Sequence, residues 1–300
     1  MINQILWTAL VTPFIENSFL IDYESLKKCL LFQEQEGNGI ILFGSTGESL
    51  SLSKDEKVDI LNFISNLNLS IPIISGVPSY NFSLAIDWIR ICRDYNINGF
   101  LASTPIYTKP GVAGQIKWFE SLLDISHLPM MLYNIPSRVG VQLYPAVVQF
   151  LKDHDKLYAI KDSSGSLDFL NVCQELAPNI FIYAGDDEMI LEMALQGARG
   201  LVSVVSNVFA KNIRKYVISC LSNNFIDVDL TLWREIFYLL KQTVNPISIK
   251  ALLKDLKLIN FDTVRLPLSQ EDCFFRDILL EKCRQMLQVT KEDIRDFSFF

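Results

Sequence analysis

The feature that most constrains the fold of this chain is a regular alternation of short apolar segments with longer amphipathic ones. Eight apolar, strand-sized segments are predicted at residues 7–11, 40–43, 72–75, 99–102, 130–133, 157–161, 180–184 and 200–204. Between them, apolar residues recur at helical spacing at residues 23–36, 54–66, 83–95, 113–125, 144–152 and 167–176. This alternation could build an open doubly wound sheet, but its regularity over eight strands favours an α/β fold of the (β/α)8 TIM-barrel type.

Two polar residues mark where predicted helices begin. Ser53 is followed three residues later by Glu56, which is the pattern of a capping box. Asp187 stands where a side-chain cap would open the helix that carries Ile190 and Leu191. Because each of these caps follows a predicted strand, they place the connecting loops at the carboxyl ends of the strands.

The part of the chain after about residue 209 lacks strand patterns. Helical periodicity continues at residues 210–221, 229–242, 246–256 and 271–287. We therefore predict a barrel domain at residues 1–225 and a C-terminal helical domain at residues 226–300 that packs against it.

The composition narrows the class of function. The chain carries 34 acidic against 27 basic residues, a formal net charge of −7, which disfavours binding to a polyphosphate backbone. No segment has the length and hydropathy of a membrane span, and the N-terminal residues lack the pattern of a signal peptide. We expect a cytoplasmic protein that acts on small molecules, without a nucleic-acid or membrane partner.

The cysteines and histidines limit the possible chemistry further. The six cysteines occur singly, without CxxC spacing, and mostly within apolar helical patterns, so neither a disulfide framework nor a zinc site is indicated. The two histidines, His127 and His154, both lie beside polar, loop-like residues. A histidine-based triad or metal centre is therefore not expected, and acid–base chemistry must use Tyr, Lys, Ser, Thr or carboxylate groups.

Functional residues of such barrels gather at the carboxyl ends of the strands, so polar residues there are the candidates. Lys161 ends an apolar strand, and a lysine that points into a barrel must lose its charge, find a partner or extend to solvent. A neutral amine can form a Schiff base, although a solvated lysine explains this residue alone equally well. Tyr133 ends the preceding strand, where its hydroxyl could transfer protons or simply be satisfied within the packed core.

Three loops at the same predicted face carry further polar residues. Residues 44–49 (GSTGES) combine a tight glycine turn with the hydroxyls of Ser45 and Thr46, an arrangement that suits a carboxylate, although an ordinary turn is commoner. Arg138 follows the fifth strand and can bind a carboxylate bidentately, unless it is a solvated surface residue. Tyr107 lies in a proline-braced loop after the fourth strand, where an aromatic ring can also serve packing alone.

Several of these motifs, in this order, resemble the dihydrodipicolinate synthase/N-acetylneuraminate lyase superfamily. The resemblance spans nearly the whole chain and rests on residues 8–14 (TALVTPF), 44–49 (GSTGES), 133–140 (YNIPSRVG), 160–162 (IKD), 184–187 (AGDD), 200–204 (GLVSV), 245–247 (NPI) and 263–267 (TVRLP). It implies a class I pyruvate aldolase, a lyase that forms a covalent imine with its substrate and needs no metal or organic cofactor.

The resemblance also implies a role for each matching residue. Lys161 would form the imine with pyruvate, and Tyr133 would act as proton donor and acceptor. Ser45 and Tyr107 would complete a hydroxyl relay to solvent, with Tyr107 reaching in from the partner subunit of a homotetramer built as a dimer of dimers.

The remaining matched positions would bind the substrates. Thr46, Gly185 and the backbone around Val202 would hold pyruvate, and Arg138 would bind the carboxylate of the second substrate. Ser45 departs from the threonine that is usual in the synthase branch, and serine at this position also resembles the lyases of the superfamily.

Arg138 favours the synthase branch, because a short aldehyde that bears its own carboxylate needs such a partner, whereas lyases of long sugar acids generally lack it. The expected reaction is condensation of pyruvate with L-aspartate 4-semialdehyde, the entry to diaminopimelate and lysine. Two alternatives stay open: an aldolase of N-acetylneuraminate or 2-keto-3-deoxy sugar acids, and a catalytically inactive barrel that serves as a binding or scaffold protein.

Overall fold

The computed structural model describes residues 4–226 and 228–289. Eight parallel strands form a closed barrel in which each strand pairs with the next and the last pairs with the first. The strands are β1 (Leu6–Ala9), β2 (Gly39–Leu42), β3 (Ile73–Gly76), β4 (Gly99–Ser103), β5 (Met130–Asn134), β6 (Leu157–Asp162), β7 (Phe181–Ala184) and β8 (Gly200–Ser203). The predicted (β/α)8 barrel is confirmed.

Helices follow the strands and form the outer layer of the barrel. They are α1 (Tyr23–Gln35), α2 (Lys54–Ser65), α3 (Phe82–Ile91), α4 (Val112–Ile125), α5 (Pro136–Val139), α6 (Pro145–Leu151), α7 (Leu167–Leu176), α8 (Ile190–Leu195), α9 (Ala210–Ser222), α10 (Leu230–Lys241), α11 (Ile247–Asp255) and α12 (Arg276–Val289). The C-terminal helical appendage is thus present as α10 to α12. The short helix α5 was not predicted, because four residues are too few to show a helical period.

The two predicted helix starts had different outcomes. The capping box is confirmed: the Ser53 hydroxyl accepts from the Glu56 amide, and the Glu56 carboxylate accepts from the Ser53 amide. The expectation for Asp187 was wrong, because α8 begins after Met189 without a side-chain cap. The Asp187 carboxylate instead accepts from the amide of Val204, at 2.9 Å, and from the hydroxyl of Ser203. These long-range bonds direct the carboxylate to the end of β8 and not to the local helix start.

The interior of the barrel is filled by side chains and is not a channel. Trp7, Ile74, Met131 and Tyr183 belong to one buried cluster within the ring of strands. At the amino ends of the strands, the Tyr183 hydroxyl donates to the Gln4 carbonyl at 2.7 Å. These side chains fill the interior in the described part of the chain, and a binding site is expected at the carboxyl-end face of such a barrel.

A buried ionic network joins the β2–α2 loop to the C-terminal part of the chain. Lys250 on α11 is 0% exposed and forms an ion pair with Glu48, while its ammonium also donates to the Thr263 carbonyl at 2.8 Å. The second oxygen of Glu48 accepts from the Arg265 amide at 2.8 Å. The ring of Phe14 lies 4.2 Å from the Lys250 Nζ. Each buried charge is therefore met by opposite charge, hydrogen bonds or an aromatic face.

We predict that Lys250→Met lowers the free energy of unfolding by about 3–5 kcal/mol, because it leaves the carboxylate of Glu48 buried without its cation. The double variant Glu48→Gln/Lys250→Met should recover part of this loss, since no buried charge is left unpaired. Urea unfolding followed by circular dichroism measures both values. The control is Lys28→Met, which removes an ion pair with Glu24 at the surface. It should lower the free energy of unfolding by less than about 1 kcal/mol. Equal losses of unfolding free energy for Lys250→Met and Lys28→Met would contradict the prediction.

Candidate active site

A cavity of about 670 Å³ opens at the carboxyl ends of the strands. Its walls come from the strand-end loops and from helices α10 and α11. The polar and charged residues that line it are Ser45, Thr46, Tyr133, Ser137, Arg138, Lys161, Ser163, Ser164, Asp186, Asp187, Glu188, Lys241, Thr243, Asn245 and Ser248. Most of the residues predicted for the site are therefore brought together, at the face expected of this fold.

Lys161 and Tyr133 form the centre of the cavity floor. The register of β5 and β6 pairs Tyr133 with Lys161 directly. Their side chains are 5% and 9% exposed, and the Lys161 Nζ lies 4.2 Å from the centroid of the Tyr133 ring. The amine thus lies against an aromatic face and is accessible from the cavity.

The next residues along the same two strands hold these ends in place. Asn134 donates to the Asp162 carboxylate at 2.8 Å and accepts from the Leu143 amide at 2.8 Å. The Ser164 amide also donates to Asp162, at 3.1 Å. Burial raises the pKa of Asp162 to about 6, against the lowering effect of its bonds from Asn134 and Ser164. This side-chain network fixes where the strands end and so where Lys161 points.

The predicted glycine loop, residues 44–49, contributes the hydroxyl residues Ser45 and Thr46 to the cavity. Thr46 is buried, and its Oγ1 accepts from the Asn245 side-chain amide at 2.8 Å. The Thr12 hydroxyl holds the loop by donating to the Gly47 carbonyl at 2.8 Å. Ser45 lines the cavity beside Thr46. The two hydroxyls therefore stand on the wall that faces Lys161 and Tyr133.

Arg138 lies at the rim on the short helix α5. Pro136 occupies the first turn of this helix, and Gly140 ends it with a positive φ of 81°, a conformation that glycine adopts without strain. The Arg138 side chain is exposed, and its guanidinium donates to the Asn245 carbonyl at 3.2 Å. Arg138 also lines the cavity, and a guanidinium has further donors with which a charged substrate group could be bound.

Asn245 was not predicted as a site residue. It contacts both Thr46 and Arg138, through its side chain and its backbone carbonyl respectively. Its side-chain oxygen is buried and has no hydrogen-bond partner within the described part of the chain. In the sequence, the indication of its importance was that residues 245–247 are among the motifs shared with the family. The resemblance assigned no role to Asn245 itself.

Gly185 follows β7 and borders Lys161 closely. A methyl group built on Gly185 would stand 2.1 Å from the Ser163 hydroxyl oxygen and 3.0 Å from the Lys161 Cε. Any larger residue would therefore displace the neighbours of the reactive amine.

Two predicted site residues do not line the cavity of a single chain. Val202 is fully buried in the barrel interior, where β8 pairs it with Trp7 on β1. Tyr107 is 93% exposed and has a φ of 69°, so its side chain projects away from the chain surface. The roles expected for both remain predictions.

An acidic wall, also not predicted as part of the site, lies opposite the glycine loop. Burial raises the pKa of Asp187 to about 6, and burial likewise raises the pKa of Asp186, while the charges of Lys241 and Lys161 lower it. Glu188 forms an ion pair with Lys241 of α10. The cavity lining thus carries acidic groups as well as the cations Arg138 and Lys241, which suits a substrate with charges of both signs.

Other groups with chemical potential are few in the described part of the chain. Residues 4–226 and 228–289 contain no cluster of three or more His, Cys, Asp or Glu residues arranged to hold a metal ion. All six cysteines are free thiols. Over the same residues, no helix combines the length and apolar character required to cross a membrane. The cavity lining therefore offers the amines of Lys161 and Lys241, the guanidinium of Arg138, and several hydroxyls and carboxylates.

The geometry can be compared with known proteins. The sequence model of the dihydrodipicolinate synthetase family matches residues 3–277. A 4-hydroxy-tetrahydrodipicolinate synthase of Wolbachia pipientis subsp. Culex pipiens is 48% identical over 270 residues, covering 90% of this chain and 92% of the relative. A 4-hydroxy-tetrahydrodipicolinate synthase of Chlamydia felis is 45% identical over 287 residues, which cover 95% of this chain and 97% of the relative.

A solved crystal structure of a dihydrodipicolinate synthase has a similar fold. The crystal structure of the chloride-inhibited dihydrodipicolinate synthase from Acinetobacter baumannii, complexed with pyruvate, superposes with a TM-score of 0.86. Its sequence is 28% identical, and the superposition covers 96% of this chain and 99% of that one. The matched length includes the barrel and the C-terminal helices that wall the cavity. The chain belongs to the dihydrodipicolinate synthetase family.

Proposed function

We propose that this protein condenses pyruvate with L-aspartate 4-semialdehyde to give 4-hydroxy-tetrahydrodipicolinate. The observation that carries the proposal is the direct pairing of Lys161 with Tyr133 at the floor of a cavity large enough for two small substrates. Membership of the family and the names of the relatives support the same reaction.

The first half of the proposed reaction prepares pyruvate as a carbon nucleophile. The neutral amine of Lys161 attacks the ketone carbon of pyruvate, water leaves, and a protonated imine forms. This cation withdraws electrons from the neighbouring methyl group, so loss of a proton gives an enamine. Tyr133 is the proton donor and acceptor in this scheme, and Ser45 passes the protons on. Because the imine is itself the electron sink, the proposal needs no metal or organic cofactor.

The second half of the reaction joins the two substrates. The enamine carbon bonds to the aldehyde carbon of the semialdehyde, whose oxygen takes up a proton. The amine of the semialdehyde then displaces Lys161 from the imine carbon, closing the ring and freeing the enzyme. In this scheme Thr46, Gly185 and the backbone around Val202 hold pyruvate, and Arg138 binds the carboxylate of the second substrate.

The proposal includes a partner copy of the chain, because Tyr107 can join the hydroxyl relay only by entering a neighbouring cavity. Tyr80, Phe82 and Leu84, in the preceding loop and helix, are likewise exposed apolar side chains of this protein. A surface of this kind favours association. We propose a homotetramer, built as a dimer of dimers, that works in the cytoplasm, where the six free thiols would stay reduced.

Of the two alternatives, the sugar-acid aldolase shares Lys161 and Tyr133 but leaves Arg138 at the rim without a function. An inactive scaffold would need neither the amine nor the hydroxyls around it. Neither alternative is favoured by a specific observation in the cavity. Comparing turnover of aspartate semialdehyde with turnover of N-acetylneuraminate and 2-keto-3-deoxy acids separates the three functions.

Borohydride reduction in the presence of pyruvate should attach a reduced pyruvate group to the wild-type protein at Lys161. Lys161→Ala should show no adduct and no turnover, because the reacting nitrogen is lost. Intact mass measurement and peptide mapping detect the adduct. The matched control is Lys117→Ala on the exposed face of α4, which should trap pyruvate as the wild type does; an adduct at another residue would refute the mechanism.

Arg138→Ala should reduce kcat/KM for the semialdehyde by about tenfold to a hundredfold, the effect of losing a charged hydrogen-bond partner. Pyruvate trapping by borohydride should proceed at the wild-type rate, since the guanidinium is assigned to the second substrate. Arg138→Lys should recover only part of the loss, because an ammonium cannot bind a carboxylate bidentately. Equal losses in trapping and condensation would rule out this assignment.

A complementation experiment tests whether Tyr107 acts in the neighbouring subunit. Tyr107→Phe and Lys161→Ala should each have little activity as pure proteins. Co-expressed together, they should regain activity, because a mixed pair contains one cavity with both Lys161 and the hydroxyl of Tyr107. The control is Tyr238→Phe, an exposed tyrosine on α10, which should be fully active. Failure of the mixture to regain activity would show that Tyr107 does not serve a partner.

A further inference from the structure

Three carboxylate residues line the cavity, and they differ in how the protein uses them. The Asp187 carboxylate accepts hydrogen bonds from the end of β8, and Glu188 forms an ion pair with Lys241. Within the described part of the chain, the Asp186 carboxylate makes neither a hydrogen bond nor an ion pair. Because charges that are withdrawn from water are usually paired, a free carboxylate at the surface of a cavity indicates a cationic ligand.

The Asp186 carboxylate is accessible from the cavity. The residue is partly exposed and belongs to the lining. Some unpaired side-chain oxygens of this protein are shut off from solvent, the Ser163 hydroxyl oxygen among them, but the oxygens of Asp186 are not in that group. The Ser163 hydroxyl lowers the pKa of Asp186 without meeting it in hydrogen-bond geometry. Asp186 is thus free to bind a group that enters the cavity.

Asp186 also lies near the reactive amine. The amide of the preceding residue, Gly185, donates to the Asp162 carbonyl at 2.7 Å, which continues the β6–β7 ladder. The methyl position of Gly185 is 3.0 Å from the Lys161 Cε. Burial raises the pKa of Asp186, and the charges of Lys241 and Lys161 offset this only in part. The carboxylate is therefore within electrostatic reach of both amines without being paired to either.

The second substrate of the proposed reaction brings a cation into this cavity. L-Aspartate 4-semialdehyde carries an ammonium group besides its aldehyde and its carboxylate, and the carboxylate is assigned to Arg138. The ammonium nitrogen must lose a proton before it attacks the imine carbon, because a protonated amine has no free electron pair. A free carboxylate near Lys161 supplies both the opposite charge and the base.

We propose that Asp186 binds the ammonium group of the second substrate and takes its proton in the ring-closing step. This inference rests on the proposed condensation. The freed nitrogen bonds to the imine carbon, and the electron pair of the C=N bond moves to the Lys161 nitrogen. A proton then passes from the substrate nitrogen to the Lys161 nitrogen, which leaves as a neutral amine while a new, protonated C=N bond forms in the ring. The proton held by Asp186 passes to water.

A purely electrostatic role for Asp186 would have different consequences. An aspartate that only tuned the charge of Lys161 would act on imine formation and would affect every second substrate alike. An aspartate that binds the ammonium acts only on substrates that carry this group. Succinate semialdehyde, which is the same aldehyde without the amino group, separates the two roles.

The test compares Asp186→Asn with wild type in three assays. The kcat/KM for aspartate semialdehyde should fall about tenfold to a hundredfold, the effect of losing a charged hydrogen-bond partner. Competitive inhibition by succinate semialdehyde should keep the wild-type inhibition constant, because this molecule has no ammonium group. Pyruvate trapping by borohydride should fall far less than condensation, since imine formation does not use the second substrate.

Two further variants sharpen the test. Asp186→Glu keeps a carboxylate and should recover part of the lost kcat/KM, whereas Asp186→Ser should behave as Asp186→Asn does and serves if the asparagine variant folds poorly. The matched control is Asp277→Asn, an exposed aspartate on α12 outside the cavity lining, which should show wild-type kinetics.

An unchanged kcat/KM for Asp186→Asn, an equal loss in trapping and condensation, or weakened inhibition by succinate semialdehyde would each overturn the inference. In all three cases wild-type condensation would leave the proposed function intact. A wild-type protein that neither traps pyruvate nor condenses it would overturn both.

Discussion

The pairing of β5 with β6 determines the position of the Lys161 amine in this protein. Backbone hydrogen bonds place Tyr133 opposite Lys161 and Asn134 opposite Asp162. The side chains of the second pair bond to each other and to the following loops, so the strand ends cannot shift without breaking buried hydrogen bonds. A displacement of one residue would turn Lys161 away from this cavity and toward the outer layer of helices.

The barrel alone does not complete the cavity. Helices α10 and α11 form one wall, and Asn245 joins the glycine loop to the rim through Thr46 and Arg138. The buried pair of Lys250 with Glu48 ties α11 to the same loop. Since these contacts reach from the second strand to the C-terminal helices, the site depends on the whole chain being folded. A mutation far from the amine can therefore disturb the hydroxyls that face it.

The two sides of the Lys161 side chain differ in chemical character. One flank presents the aromatic ring of Tyr133, and the other presents the Ser163 hydroxyl and the carboxyl of Asp186. Below lies the packed apolar interior, which excludes water, and above lies the mouth with Arg138 at its rim. The Lys161 amine therefore has an aromatic ring on one side and polar groups on the other, in a cavity that opens toward the mouth.

The sequence by itself determined the strands, most helices, the Ser53 capping box and the face on which Lys161 and Tyr133 meet, because hydrogen-bond periodicity and hydrophobic pattern act over neighbouring residues. It also indicated Ser45, Thr46, Arg138 and Gly185 through the family resemblance. Only the tertiary structure decided that the Asp187 carboxylate bonds to the end of β8 instead of capping a helix. Likewise, the contacts of Asn245 and the unpaired hydroxyl of Ser163 follow from the packing of segments far apart in the chain, which no local pattern encodes.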